Sequence, residues 1–394
     1  MTHALRWVLV AVLTGHGLLH LLGVVKGFGW AGVDQLKEPI GPVSGVIWLL
    51  AAALVLTSAV LIAVGAPTWW WSVAVLGALV SEIAIATSWS DAKFGTAANL
   101  VLLLAAGYGF ASLGPTSFHA QFRDLAGDAT ADAQGVSAAV VSESDIAGLP
   151  KPLAAYVRRS GAVGRPRVTS FSAQFHGRIR GGANQPWMPF TGEQLNTYGS
   201  QPKRVFVMDA TRSGIPVTVL HSYKNSTATM RAKVLSLFTV VDASGPEMDR
   251  GETVTVFNDL VVLAPGAIVD APVQWTAVDA HHVRGVYTNG PQTVSAQLTF
   301  DADHDLVDFV SEDRLRASTD GKSFERQTWS TPLAEHRESK GRRVLVVGEG
   351  QWQAPPPEGP FTYVELHIDN LAYNVHTSVG MHESSALALS ESSQ

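Results

Sequence analysis

The sequence predicts a four-helix transmembrane anchor joined to a β-dominated (α+β) domain, an antiparallel curved sheet or half-barrel with an inserted helix. Three observations predict it. Val46–Ser81 contains no charged residue, and with Leu5–Val25 before it and Thr96–Leu113 after it supplies four apolar runs, each close to the ~20 residues that cross a bilayer core. Beyond about Ala120 the composition becomes mixed and apolar residues alternate as in half-buried strands. Within that material Gly251–Leu263 departs from alternation and takes a helical spacing. The expected organisation is therefore 1–115 membrane anchor, 116–148 linker, 149–378 β-rich domain and 379–394 flexible tail.

The apolar runs come first. Gly65-Ala66-Pro67-Thr68 separates the second from the third, which makes those two a tight hairpin. A cleaved signal peptide would be shorter, with no further spans behind it. The chain has no cysteine, which excludes lipid attachment at one. Trp7, Trp30, Trp48, Trp69-Trp70-Trp71 and Trp89 stand near the run ends, where an indole meets headgroups with its N–H and acyl chains with its body. Lys26, Lys37 and Lys93 fall in the first and third loops, which places those loops in the cytoplasm. An even number of spans then leaves the domain outside the cytoplasmic membrane. His16 and His20 are four residues apart and share a helix face among Gly15, Gly17 and Gly23. With Glu82 they form the candidate metal or proton-linked cluster, because ionisable groups at that depth face protein and pair. Hydrogen bonding between helices is the plainer reading of the same residues.

The linker, Gly127–Ser144, is rich in Ala, Asp and Ser and has no aromatic residue. Pro152 opens a short helix over Leu153–Ser160, with Gly161 at its end. Arg158, Arg159, Arg165 and Arg167 follow closely as a basic collar, suited either to anionic headgroups or to plain solvation. Strands are expected at Arg204–Asp209 and Pro216–Tyr223 about a Ser213-Gly214 turn, and over Ala228–Val241 as one strand or a bent pair. Further strands are Val273–Val278, Val283–Tyr287, Thr293–Phe300, Leu306–Ala317, Phe324–Thr328, Arg343–Trp352 and Phe361–Asn374. Asn289-Gly290 and Asp301–Asp305 supply turns. In the internal helix Val254, Phe257, Leu260 and Val261 mark one face, and Pro265 ends it.

Several local patterns resemble a family of uncharacterised bacterial proteins, the DUF6544 (also DUF6920) type. They are Trp187-Met188-Pro189-Phe190, Val240–Met248 leading into Gly251–Asp259, Leu263-Ala264-Pro265, Trp275, Asp308–Arg314, Trp329-Ser330-Thr331-Pro332, and Phe361–Glu365 with Tyr373-Asn374. The resemblance runs from about Leu149 to Asn374 and implies no established activity. By shape such a domain is similar to the curved-sheet lipoprotein carriers of the cell envelope, an analogy of fold only.

Familiar catalytic patterns are missing. There is no Gly-x-Ser-x-Gly elbow, no phosphate loop and no cysteine nucleophile, and His382-Glu383 lacks a second metalloprotease histidine. With net charge −6 and no basic stripe interleaved with aromatics, no nucleic-acid partner is expected. The candidate ligand-binding residues are Phe175, Trp187, Phe257, Trp275, Asp308, Arg314 and Trp329, with Phe300 and Phe309 as further cavity groups. If Leu306–Ala317 is one strand, Asp308, Glu312 and Arg314 share a face, and Arg314 can take an acidic headgroup or pair with Asp308. Glu252 and Asp259 on the helix, with Glu349 and Glu365 on late strands, form a candidate acidic pocket. Three functions follow. The first is membrane-tethered handling of a lipid or other apolar envelope molecule. The second is an envelope scaffold that holds a protein partner, and the third a metal- or proton-linked membrane enzyme. Membrane lipids are the expected partner, and the sequence names no cofactor.

Overall fold

The computed structural model describes residues 3–132, 139–318, 321–375 and 387–388. Residues 133–138 of the expected linker, and the expected tail apart from Leu387–Ala388, lie outside them. The chain divides into two compact units, Met1–Gln121 with Leu235–Leu237, and Phe122–Val234 with Phe238–Gln394.

The first unit is helical: α1 (His3–Gly27), α2 (Pro42–Val64), α3 (Trp70–Ala86), the short α4 (Trp89–Ala92) and α5 (Gly95–Leu113). Three helices are long and apolar enough to cross a membrane, Ala4–Gly27, Pro42–Val64 and Gly95–Ala131, which suggests a membrane anchor. The expectation of four is corrected by α3. Its 17 residues rise only about 26 Å, short of a hydrocarbon core of about 30 Å. The α3 helix still runs the height of the bundle. At one end Arg6 donates to the carbonyls of Ile62 and Ala63, next to where α3 begins. At the other, the Lys37 and Glu38 amides donate to Asp91 just past its end. Small residues set the close approaches. A Cβ on Gly23 would lie 2.1 Å from Trp48, and one on Gly17 would lie 2.7 Å from Leu56, whereas Gly15 faces open space.

The boundary between the units falls within α6 (Phe118–Asp132), and the second unit continues with α7 (Glu143–Ile146) and α8 (Lys151–Arg159). Gly161, at φ +72°, ends α8 in the left-handed region. Strands β1 (Ser170–Ile179), β2 (Met188–Thr197), β3 (Lys203–Arg212), β4 (Ile215–Lys224), β5 (Thr227–Val234) and β6 (Phe238–Ser244) form an antiparallel meander. Helix α9 (Pro246–Leu263) follows, with a 3-10 turn over Pro265–Asp270. Then come β7 (Val273–Ala277), β8 (His282–Asn289), β9 (Gln292–Phe300), β10 (Leu306–Ser311), β11 (Leu315–Ala317), β12 (Phe324–Arg326), β13 (Thr328–Ser330), β14 (Leu333–Ser339), β15 (Arg342–Gln353), β16 (Pro360–Tyr373) and β17 (Leu387–Ala388). The sheet order is β6-β5-β4-β3-β2-β1-β16-β15-β13-β10-β9-β8-β7, with β14 on β15 and β17 on β16; β11 and β12 pair separately. The first domain strand therefore pairs with the long last one at mid-sheet, and β6 and β7 are free ends. The sheet does not close.

Helix α9 touches β5 and β6 near one end of this order and β9 and β10 near the other. Strands ten positions apart stand roughly 48 Å apart in a flat sheet, far beyond a helix about 10 Å across. The sheet must therefore curve around α9. Met248 and every residue from Gly251 to Leu263 are buried, so the helix fills the concave side. The expected single strand over Leu306–Ala317 is instead β10 and β11, parted at Glu312–Arg314. That break removes the shared face expected for Asp308, Glu312 and Arg314.

Candidate functional site

A helix buried on every side must satisfy each polar group it carries. On α9 these are Glu252, Thr253, Thr255, Asn258 and Asp259, all buried. Glu252 and Asp259 are seven residues apart, two helical turns, and so lie on one face. Inward positions of the meander meet them. Arg204 on β3 sits between the two carboxylates: its Nε donates to Asp259 Oδ2 at 2.8 Å and its Nη1 to Glu252 Oε2 at 3.1 Å. Gln194 and Asn196, both inward on β2, donate to Asp259 Oδ2 at 2.7 and 3.0 Å. His221 Nδ1 on β4 lies 3.2 Å from Glu252 Oε1. Tyr223 Oη is 2.9 Å from Thr253 Oγ1, and Asn258 donates to Thr331 Oγ1 at 2.7 Å. Arg314 donates to Thr255 Oγ1 and lies over Trp329, 4.6 Å from the ring centroid.

The electrostatics are asymmetric. Burial alone would raise the Glu252 carboxyl, but His221 and Arg204 beside it hold it well below the usual carboxylate range. Asp259 shares the same guanidinium without a histidine, and there burial prevails and pushes its carboxyl up. Arg204 and Arg314 together balance the two carboxylates. Arg204, Glu252 and Asp259 at its centre are buried, which suits the seam to fixing the register of α9 on the sheet. His221 and Arg314 are its half-exposed members.

The aromatic candidates divide. Phe257 stacks on Tyr287 at 5.3 Å, meets Phe309 edge-on at 5.3 Å and tilts against Trp275 at 5.8 Å; Phe309 then meets Trp329 at 6.1 Å. With Arg314 these make one continuous group under α9. Phe175 belongs to the same core but to a separate set, stacked on Phe206 and edge-on to Phe190. Phe300 packs against Tyr156. Trp187 stands apart, half-buried between the guanidinium groups of Arg178 and Arg180 at 4.6 and 4.4 Å. Asp308 does not meet Arg314. Its carboxylate accepts the Phe309 amide at 2.8 Å, and burial raises its pKa. The acidic pocket keeps only Glu252 and Asp259, because Glu365 pairs with Arg178 and Glu349 accepts from Thr362 Oγ1 and Gln351.

The expected basic collar is engaged within its own domain. Arg158 pairs with Glu143, Arg167 with Asp145 and Asp270, and Arg165 donates to the Lys340 carbonyl. Arg159 and Arg343 both grip Asp305, whose carboxyl they hold well below the usual range against the effect of burial.

Sequence reasoning missed Arg204, Gln194, Asn196 and His221. The available signal was parity: Arg204 shares a face with the apolar Phe206 and Met208, which marks a charge pointing inward.

In the helical unit His16 and His20 both reach Ser81, with His16 Nε2 3.1 Å and His20 Nε2 2.8 Å from its Oγ. His16 Nε2 also lies 3.0 Å from Asn99 Oδ1, and Asn99 Nδ2 donates to Glu82 Oε2 at 2.8 Å. Thr96 donates to the other Glu82 oxygen at 2.8 Å. Asn99 thus stands between the histidines and Glu82. Among the described residues no three His, Cys, Asp or Glu are arranged to hold a metal ion.

Fold and site together define a class: an open antiparallel sheet curved around a helix that is pinned by a buried ionic seam, carried on a chain with membrane-length apolar helices. The chain belongs to DUF6544, a family of unknown function whose model matches residues 139–366, as the sequence resemblance implied. No curated protein matches it. Two solved structures are similar. One is a putative outer membrane lipoprotein-sorting protein domain from Vibrio parahaemolyticus, at 10% identity and TM-score 0.30, covering 52% of this chain and 85% of that one. The other is a DUF1329 family protein from Desulfovibrio piger, at 12% identity and TM-score 0.34, covering 59% and 96%. Likeness at this level carries no argument about function.

Proposed function

We propose that the β domain binds or handles a lipid or other apolar envelope molecule at the membrane to which the apolar helices tether it. One observation carries this reading: a wide, open sheet presents a mostly apolar concave face, and a single helix covers it. In this proposal α9 is the insert that an acyl chain displaces, with Trp275, Phe309 and Trp329 on the sheet as the wall it meets. Arg314, half-exposed at the margin over Trp329, takes an acidic headgroup. Lys26, Lys37 and Lys93 lie at one end of the helical unit and favour the cytoplasm for that end. The candidate span that begins at Gly95, two residues after Lys93, leads away from that end, so in this proposal the domain lies outside.

Native mass spectrometry of the gently purified full-length protein tests the ligand. Retained phospholipid, lost in Arg314→Gln, is expected. An empty protein that also neither binds nor transfers labelled lipid in nanodiscs overturns the reading. Reporters fused after Val141 test the side, and strong cytoplasmic fluorescence would exclude an external domain.

A second reading, an envelope scaffold, draws on the burial of α9 from Gly251 to Leu263, which leaves a well-packed interior. It expects cross-linking in cells to recover one stoichiometric protein partner.

A further inference from the structure

The turn between β5 and β6 shares two consecutive positive-φ residues with the β3–β4 and β4–β5 turns but not their composition, Ser213-Gly214 and Asn225-Ser226. Leu235 and Ser236 both adopt positive φ, 54° and 58°. Consecutive positive-φ residues in a hairpin are usually Asn or Gly, because a branched side chain is strained there. Here a leucine occupies the first position. Around it Leu237 is 54% exposed, Phe238 63% and Val240 50%. No charged residue occurs from Val234 to Val241. The register pairs Val217 with Val234, so the β3–β4 turn lies at the same end of the sheet. That turn adds the exposed Ile215 and, at its base, the exposed Arg212. Strand β6 is also a free sheet end. Natural edges facing water are blunted with charge or proline, and the end of this one nearest the turn carries Phe238, Thr239 and Val240 instead, with Asp242 farther along.

We infer that this double-hairpin tip is a membrane-contact element, which sets Leu237, Phe238, Val240 and Ile215 among the outer acyl chains and Arg212 at the phosphates. The occupant is a lipid surface for two reasons. The same chain carries membrane-length apolar helices, so a bilayer is held beside the domain at high effective concentration. The composition of the tip, leucine and phenylalanine with a basic residue behind them, is that of segments that lie in the headgroup boundary. The inference rests on the tether and the tip alone and stands whether or not the concave face binds lipid.

The absence of cysteine makes the test clean. Leu237→Cys and Val240→Cys are each labelled with an environment-sensitive fluorophore in the full-length protein, reconstituted in phosphatidylcholine–phosphatidylglycerol nanodiscs. Lys224→Cys, an exposed position at the opposite end of the same strands, is the control. Labels at 237 and 240 are expected to lose most of their emission to nitroxide-bearing lipids and to be shielded from aqueous iodide, with the control behaving in the reverse way. Iodide quenching at 237 and 240 equal to the control overturns the inference. So does protection from both quenchers, which would mean that protein covers the tip. Unchanged thermal unfolding of the labelled variants confirms that the fold is intact.

Discussion

The two units bury polar groups in opposite ways. In the β domain full charges go inside and meet opposite charges, Arg204 against Glu252 and Asp259. In the helical unit Glu82 is met by neutral donors, Thr96 and Asn99, and the histidines share one serine hydroxyl. The difference follows from what each helix leans on. Helix α9 is enclosed by strands whose inward positions supply long charged side chains from several directions. The bundle helices approach closely where Gly17 and Gly23 make room for the apolar Leu56 and Trp48, and the polar groups there are met by short neutral side chains. A charged seam therefore specifies register at a high cost of disruption, whereas the neutral network contributes modestly and tolerates change.

Breaking the seam has the largest expected effect. Arg204→Met leaves buried Asp259 without a charged partner and Glu252 with His221 in place of two, and is expected to cost about 3–5 kcal/mol. Since a two-unit chain does not unfold in one step, the readout is loss of hydrogen-exchange protection across α9. An α9 as protected as in the parent would show that the seam holds nothing. Combining Arg204→Met with Glu252→Gln and Asp259→Asn removes the stranded charges and should restore much of that protection. If the combined variant is no better than the single one, specific hydrogen bonding rather than charge balance holds the helix.

The Asp305 clamp offers a pH-dependent version at a smaller scale. Losing charged hydrogen bonds of this kind, Asp305→Asn is expected to cost about 1.5–3 kcal/mol at neutral pH. Its carboxyl is depressed in the folded state, so the stabilisation is present above an ordinary aspartate value of about 4 and is lost as pH falls towards the folded value. The gap in hydrogen-exchange protection around Arg159 and Arg343 between parent and variant should narrow on acidification. A gap that stays constant would refute the assignment. Asp259, pushed the other way, contributes with opposite sign and is common to both proteins.

The smallest effect belongs to the bundle. Ser81→Ala removes the hydroxyl shared by His16 and His20 and is expected to cost only about 0.6–1.7 kcal/mol, read from exchange in α1 and α3 in nanodiscs. A loss as large as that of Arg204→Met would dissolve the contrast between the two units.

The sequence shows some of this plainly and hides the rest for identifiable reasons. Uninterrupted apolar runs reveal the bundle helices, though run length overcounts at Trp70–Ala86. Val254, Phe257, Leu260 and Val261 reveal α9, and Ser213-Gly214 reveals the β3–β4 turn. Strand β2 is obscured because its inward positions hold Gln194 and Asn196, which spoil the alternation while serving Asp259. Strand β14, pairing on β15 and mostly polar, carries no apolar pattern. Glu252 and Asp259 stand out as acids in an apolar helix, but Arg204 lies some fifty residues away, and strand pairing alone brings it to them. Glu349 and Glu365 fail as pocket members because they pair with each other in register across β15 and β16, away from α9.

The pairing of β1 with β16 has a consequence for how the domain is made. Phe171 meets Tyr373 across that ladder. As the chain leaves the ribosome the meander β1–β6 can assemble as a local unit, each strand against its predecessor. The second half grows in turn from β7. No strand pairing joins the halves until the last long strand is synthesised, and closing so large a loop is slow compared with forming hairpins. Until β9 and β10 follow, α9 has only half of its enclosure, and its ionic partners are already waiting on β2, β3 and β4. Those partners give the nascent helix a place to dock during the interval in which its apolar side is most exposed to aggregation.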